Sequence, residues 1–213
     1  MSQLSILIAD DHAVVRAGLR TLLESHPRWQ VCAEAADGRD AVEKAAKHKP
    51  QIAILDIGMP LLNGVEATRQ IRKSSPSTEI LILTMHESDE LVQQVVEAGA
   101  RGYILKDEAD RVLLDAVQAL SQHKPFFSTR VSEAAVTTDP SDSAKSSRSR
   151  LTPREREILQ LLAEGKSNKE VANLLNISVN TAEAHRANIM LKLDFHSLAE
   201  LVLYAIRNNI IQT

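Results

Sequence analysis

Residues 52–60 read IAILDIGMP, and the end of that run decides the fold. The four residues Ile52–Leu55 are all apolar, with no polar position alternating between them. A strand covered by helices on both faces reads this way, whereas a strand with one wet face alternates. The run stops at Asp56, and Gly58 and Pro60 then mark a turn. In an open parallel sheet, the crevice that binds ligands lies at the carboxyl ends of the strands. A buried strand that ends in a carboxylate therefore points to a site at that edge.

Reading outward, similar short runs occur at Ser5–Ala9, Gln30–Ala33, Glu79–Leu83 and Gly102–Leu105. Amphipathic stretches at 13–25, 38–48, 64–74, 89–98 and 109–121 predict helices between and after them. Gly99 suits the left-handed position that closes a helix. Five strand–helix units in the first 127 residues predict a doubly wound parallel sheet with helices on both faces. The strand ends then bring chemistry together. Strand one ends in Asp10-Asp11, strand three in Asp56, strand four in Thr84 and strand five in Lys106.

Carboxylates at such close quarters repel unless a cation compensates them. Oxygen-only ligands at an open site suit Mg²⁺, which keeps water and seeks phosphate oxygens. Asp56 could act as a nucleophile toward a phosphoryl donor, with Lys106 and Thr84 contacting other oxygens of the group.

The rest of the chain differs. Residues 128–149, STRVSEAAVTTDPSDSAKSSRS, are mostly Ser, Thr, Asp and Pro after a possible helical turn at 132–136. They predict a flexible linker. From 150 to 213 the chain reads as helical. Thr152 to Glu155, Ser167 to Glu170 and Ser197 to Glu200 are capping boxes, the first with Pro153 at the first helical position. Four helices are predicted: 153–164, 168–175, 179–193 and 197–208. Gly165 ends the first. Asn176, tolerant of left-handed backbone, makes the tight turn between the second and third, and Ser178 caps the third. Two short helices joined so tightly match a helix-turn-helix.

Composition excludes several classes. Apolar residues are 44% of 213 and aromatics 3%, so the cores are aliphatic. The single cysteine, Cys32, cannot form an internal disulfide and reads as a strand residue. The opening MSQLSILIADDH lacks the basic segment of a signal peptide, and no apolar run reaches membrane-spanning length. The cytoplasm is the expected compartment. Net charge is −4 over residues 1–127 and +1 over 150–213, so charge alone does not argue for nucleic acid.

The first 125 residues resemble the receiver domain of two-component response regulators, through ADDH, LDIGMP, LTMH and GYILKD in order. That resemblance implies an α/β flavodoxin-like (βα)5 domain. It implies Asp56 as phosphoacceptor, and Mg²⁺ held by Asp10, Asp11, Asp56 and the Gly58 carbonyl. Thr84 and Tyr103 match the switch pair, whose ring turns inward on activation, and Lys106 matches the phosphoryl-binding lysine. Asp107 stands where proline often follows that lysine. Met85 stands where a small residue is frequent and is expected to narrow access to Asp56.

The last 60 residues resemble the LuxR-type helix-turn-helix, through LTPRE, GKSNKEVA, NTAEAHRANI and KL. The whole is similar to the NarL/FixJ class, a response regulator and transcription factor. That class implies phosphotransfer from a sensor histidine kinase, double-stranded DNA with inverted half-sites, and a homodimer when phosphorylated or DNA-bound. It implies no membrane contact and no turnover enzyme. Aligned residues imply DNA contacts from Lys169, Thr181, Glu183, Ala184, Arg186, Asn188 and Lys192. The last helix supplies dimer candidates Leu198, Leu201, Val202 and Ala205. On the third helix, Val179, Ala182, Ile189 and Leu193 are expected to face the core, and His185 to be a buried, hydrogen-bonded histidine. Glu183 is expected to pair with Arg186 at i+3, its alternative being a hydrogen bond from cytosine N4.

Other readings compete. An aspartyl-phosphate phosphatase generally needs a second acid two residues after the nucleophile, where this chain has Gly58. A vestigial acidic site conflicts with the full residue set, and a plain scaffold leaves the helix-turn-helix unexplained.

Overall fold

The structure, a computed structural model, describes residues 3–85, 88–128 and 151–211. It divides into two compact units, Met1–Thr138 and Asp139–Thr213.

The first unit carries strands β1 (Leu4–Ala9), β2 (Trp29–Ala35), β3 (Ile52–Asp56), β4 (Glu79–Thr84), β5 (Gly102–Leu105) and β6 (Phe126–Phe127). Helices α1 (Ala13–Glu24), α2 (Gly38–His48), α3 (Gly64–Ser74), α4 (Asp89–Ala98) and α5 (Ala109–Ser121) alternate with them. The sheet is parallel, in the order β2-β1-β3-β4-β5-β6. Because successive side chains alternate across a strand, two cores form. Leu7, Ala53, Leu55, Ile80, Ile82 and Tyr103 pack on the side of α2, α3 and α4. Ile6, Ile8, Ile52, Ile54, Leu81 and Ile104 pack on the side of α1 and α5.

Register then sets the site. Ala9 pairs with Leu55, so Asp10 and Asp56 leave adjacent strands at one level. Thr84 pairs with Leu105, so Lys106 follows at the same edge, inside a single 3-10 turn, Lys106–Glu108. Strand order reverses between β1 and β3, where an open α/β sheet places its crevice.

The sheet has one strand more than the five read from sequence. Phe126 donates its N–H to the Arg101 carbonyl at 2.9 Å, and Ser128 donates to Tyr103 at 3.1 Å. Phe126 packs on the α1–α5 side and Phe127 on the other. Two residues after a proline are too few to show a strand period, so this element was not legible. Ser128, placed in the linker by composition, is buried against β5. The remainder of the expected linker, 129–149, lies outside the described residues, as does the turn at 132–136.

Among the described residues, the second unit is four helices: α6 (Pro153–Ala163), α7 (Asn168–Leu175), α8 (Val179–Leu193) and α9 (Leu198–Arg207). The capping boxes at Thr152, Ser167 and Ser197 are all formed. Asn176, at φ 51°, makes the turn between α7 and α8. The core holds Ile158, Leu159, Leu162, Val171, Ala182, Ile189, Leu201 and Ala205. No described helix is long and apolar enough to cross a membrane.

Candidate functional site

At the carboxyl edge of the sheet, Lys106 stands between two buried carboxylates. Its Nζ lies 2.7 Å from Asp10 Oδ2 and 3.1 Å from Asp56 Oδ2, and both aspartate side chains are only 1% exposed. These contacts are close but poorly directed. Asp10 Oδ2 and both oxygens of Asp56 lack a well-aligned hydrogen bond. Burial raises the Asp56 carboxyl above its ordinary pKa; Lys106 opposes this and Asp10 adds to it. Burial works against the Lys106 ammonium too, but Asp10 and Asp56 outweigh it and raise its pKa. Lys106 is therefore the local counter-charge.

Asp11 is placed differently. Its carboxylate is 34% exposed, and its Oδ1 lies 2.7 Å from His12 Nδ1. Asp10 Oδ1 accepts from the His12 backbone N–H at 2.9 Å. Ligand atoms of Asp10, Asp11 and His12 lie within 4.8 Å of one another. The expected acidic triad is thus split, with Asp11 turned to His12 and Asp56 turned to Lys106, while Asp10 touches both. His12 was missed as a neighbour of this site; a histidine after two aspartates has no period to betray it.

The backbone holds Asp56 tightly. Gly64 donates its N–H to the Ile57 carbonyl at 2.9 Å, and a Cβ on Gly64 would lie 2.2 Å from the Asp56 carbonyl oxygen. Only glycine lets α3 start this close to the strand end. Gly58 sits half-buried in the same turn. Thr84 is buried at the end of β4, and Tyr103 is fully buried, so its ring is already inward. Met85, expected to narrow the entrance, is 65% exposed and turned to solvent. Cys32 is half-buried, and burial raises its thiol pKa, which fits an unreactive strand residue.

In the second unit, the helix-turn-helix is braced from α6. Arg154 donates to the Leu175 carbonyl at 3.0 Å, satisfying an end of α7, and pairs with Glu157 at 2.8 Å. Glu155 accepts from the Thr152 N–H at 2.8 Å and pairs with Lys192 Nζ at 2.8 Å. Two consecutive residues thus tie α7 and α8 to α6. The capping pattern revealed the Thr152–Glu155 box but not these long-range contacts.

Several expectations for the packing and pairing of α8 are corrected. Lys192 faces Glu155, so its ammonium already has an anion. Glu183 and Arg186 form no pair among the described residues, and Glu183 is exposed. His185 is only half-buried and has no hydrogen-bond partner among the described residues. Val179 is 40% exposed rather than in the core, and Leu193 is half-buried, whereas Ala182 and Ile189 are buried. Leu201 and Ala205, two of the dimer candidates, are fully buried in their own domain. Leu198 is exposed and Val202 half-buried. Thr181 is exposed, and its hydroxyl bonds to Ser178 at 2.8 Å. Lys169, Ala184 and Asn188 are exposed, and Arg186 is half-buried.

Comparison with known proteins finds a match for each of the two domains. Residues 6–118 match the family described as response regulator receiver domain, and residues 149–205 match the bacterial regulatory proteins of the luxR family. The chain is 40% identical to the oxygen regulatory protein NreC of Staphylococcus epidermidis, covering 98% of this chain and 100% of that one. Among solved structures, RcsB from Salmonella enterica serovar Typhimurium, bound to the promoter rprA in the presence of the phosphomimetic BeF3⁻, superposes with a TM-score of 0.63. It is 29% identical, covering 95% of this chain and 98% of that chain. A LuxR-family two-component response regulator from Aurantimonas sp. SI85-9A1 gives a TM-score of 0.60 at 35% identity, covering 62% of this chain and 95% of that one.

Proposed function

The chain belongs to the response regulators that join a receiver domain to a LuxR-type DNA-binding domain, and from that premise we propose that phosphorylation of Asp56 controls its binding to DNA. The observation that carries the reading is the Asp10–Lys106–Asp56 cluster. A nine-tenths buried carboxylate needs compensation. Here Asp56 is buried at the sheet edge with the Lys106 ammonium 3.1 Å away as its counter-cation, shared with Asp10. Such a group is poised to accept a covalent partner.

The proposed step is a phosphoryl transfer. An Asp56 carboxylate oxygen forms a bond to phosphorus as the donor's P–N bond breaks. The imidazole of a phosphohistidine in a sensor histidine kinase departs, leaving an acyl phosphate on Asp56. Lys106 contacts a phosphoryl oxygen, and Thr84 donates its hydroxyl to another. No acid stands at Gly58 to drive turnover, so the role is that of a switch and not of an enzyme.

Mg²⁺ fits the donors present. Asp10 and Asp56 hold buried oxygens at the sheet edge and Asp11 follows Asp10; these carboxylates, with the Gly58 carbonyl, would supply the oxygen ligands. The ion, when bound, neutralises charge on the transferring group.

Domain boundaries at 1–127, 128–149 and 150–213 follow, with Ser128 moved to the receiver. The C-terminal domain docks α8 in the major groove, with Lys169 at the start of α7 near phosphate. A homodimer on inverted half-sites, contacting through Leu198 and Val202 on α9, compensates for the near-neutral charge of this domain. The protein works in the cytoplasm, beside its kinase and its DNA.

The test is DNA retention by the full chain with and without acetyl phosphate and Mg²⁺. Retention should rise with the donor in wild type and stay flat in Asp56→Asn. An equal rise in both would refute control through Asp56.

A further inference from the structure

The recognition helix α8 presents a groove face that carries no cation. With 3.6 residues per turn, buried Ala182 and Ile189 define its inner side. Half-buried His185, Arg186 and Leu193 flank that inner side. The opposite line is Asn180, Ala184, Ala187 and Leu191, all exposed, the last 82%. Glu183 and Asn188 stand on either side of it, both exposed. Lys192 points its ammonium at Glu155, 2.8 Å away, and Arg186 belongs to the inner flank. The usual Lys or Arg contact to guanine therefore has no donor on the outward line.

What the line does offer is an unpaired carboxylate. The Glu183 side chain has no ion pair or hydrogen bond among the described residues, although Arg186 stands at i+3. An unpaired anion brought between two phosphate backbones loses hydration and meets repulsion unless a donor receives it. The major-groove edge supplies two amino donors, cytosine N4 and adenine N6. Adenine places the acceptor N7 beside N6, which repels a carboxylate, whereas cytosine presents its amino group alone.

We infer that Glu183 is the specificity-determining residue of this helix and reads a cytosine, its carboxylate accepting a hydrogen bond from the N4 amino group. The inference rests on the docking of α8 in the major groove given above. It assigns Arg186 and Lys192 to the backbone side and leaves Ala184 and Ala187 to meet thymine methyls.

The test uses the full chain, treated with acetyl phosphate and Mg²⁺, and a randomised duplex library. Wild type, Glu183→Ala and Glu183→Gln are compared by sequencing the retained DNA. Glu183 is exposed, so neither change disturbs the core. Wild type should prefer cytosine at one position of each half-site by about tenfold. Glu183→Ala should level that position alone. Glu183→Gln should move it toward adenine, because an amide offers both a donor to N7 and an acceptor for N6. If both variants keep the wild-type preferences and bind every sequence more tightly, the carboxylate faces phosphate and the inference is wrong. If wild type retains no duplex, the DNA-binding reading itself fails first.

Discussion

Removing the Glu155 carboxylate tests how the helix-turn-helix is held. That side chain is 7% exposed and serves two partners. It accepts from the Thr152 N–H at 2.8 Å and Oγ1 at 3.0 Å, and it pairs with Lys192 at 2.8 Å. Loss of a capping interaction costs about 1 kcal/mol. Breaking a fully buried ion pair costs more, but the Lys192 side chain is 41% exposed and its ammonium can turn to water. The pair is therefore worth about 1 kcal/mol. Glu155→Gln keeps an oxygen for the cap and should lose only the pair, whereas Glu155→Ala should lose both, about 2 kcal/mol. For a domain of this size, 1 kcal/mol moves Tm by roughly 4–8 °C. Calorimetry on the full chain reads the helical domain, with the receiver transition as internal reference. A double-mutant cycle with Lys192→Met should return a coupling near the pair's value.

The pH dependence gives a second check. Burial pushes the Glu155 carboxyl up, but Lys192 and Thr152 outweigh it and hold its pKa below the ordinary value. A depressed folded pKa stabilises above the unfolded pKa, and that contribution fades as pH falls through the folded value. The gap between wild type and Glu155→Gln should be full at neutral pH and close in acid. A gap that is absent at neutral pH, or that widens in acid, would refute the reasoning.

On α9, Leu201→Ala should cost about 2–5 kcal/mol because Leu201 is fully buried, whereas Leu198→Ser should stay within about 0.5 kcal/mol because Leu198 is 45% exposed, both read by thermal unfolding. Gly64→Ala forces a Cβ to 2.2 Å from the Asp56 carbonyl and should destabilise the receiver by about 3 kcal/mol or more while slowing its labelling by acetyl phosphate. Adding Mg²⁺ should raise the receiver Tm by mass action, and the rise should vanish in Asp10→Ala, with differential scanning fluorimetry as the readout.

How much of this was visible beforehand differs by element. The buried strands announced themselves by unbroken apolar runs, and their ends located Asp10, Asp56, Thr84 and Lys106 at one edge. Helix starts were legible because capping boxes are local. Strand β6 was hidden because Phe126 and Phe127 owe their pairing to β5, not to any pattern of their own. The same limit applied to α9. Leu201 and Leu198 look alike in a helical stripe, and only packing separates the buried residue from the exposed one. For Glu183 the local rule misled. An i+3 cation was available, yet Arg186 lies on the inner flank of the helix and forms no pair with it.

The central claim is a covalent one, at Asp56. Intact-protein mass after incubation with acetyl phosphate and Mg²⁺, set against Asp56→Ala, tests it most directly. The account predicts a gain of about 80 Da, one phosphoryl group, that hydroxylamine removes and that only wild type shows. An equal gain in Asp56→Ala, or no gain in wild type with either acetyl phosphate or a phosphorylated histidine kinase, would contradict it.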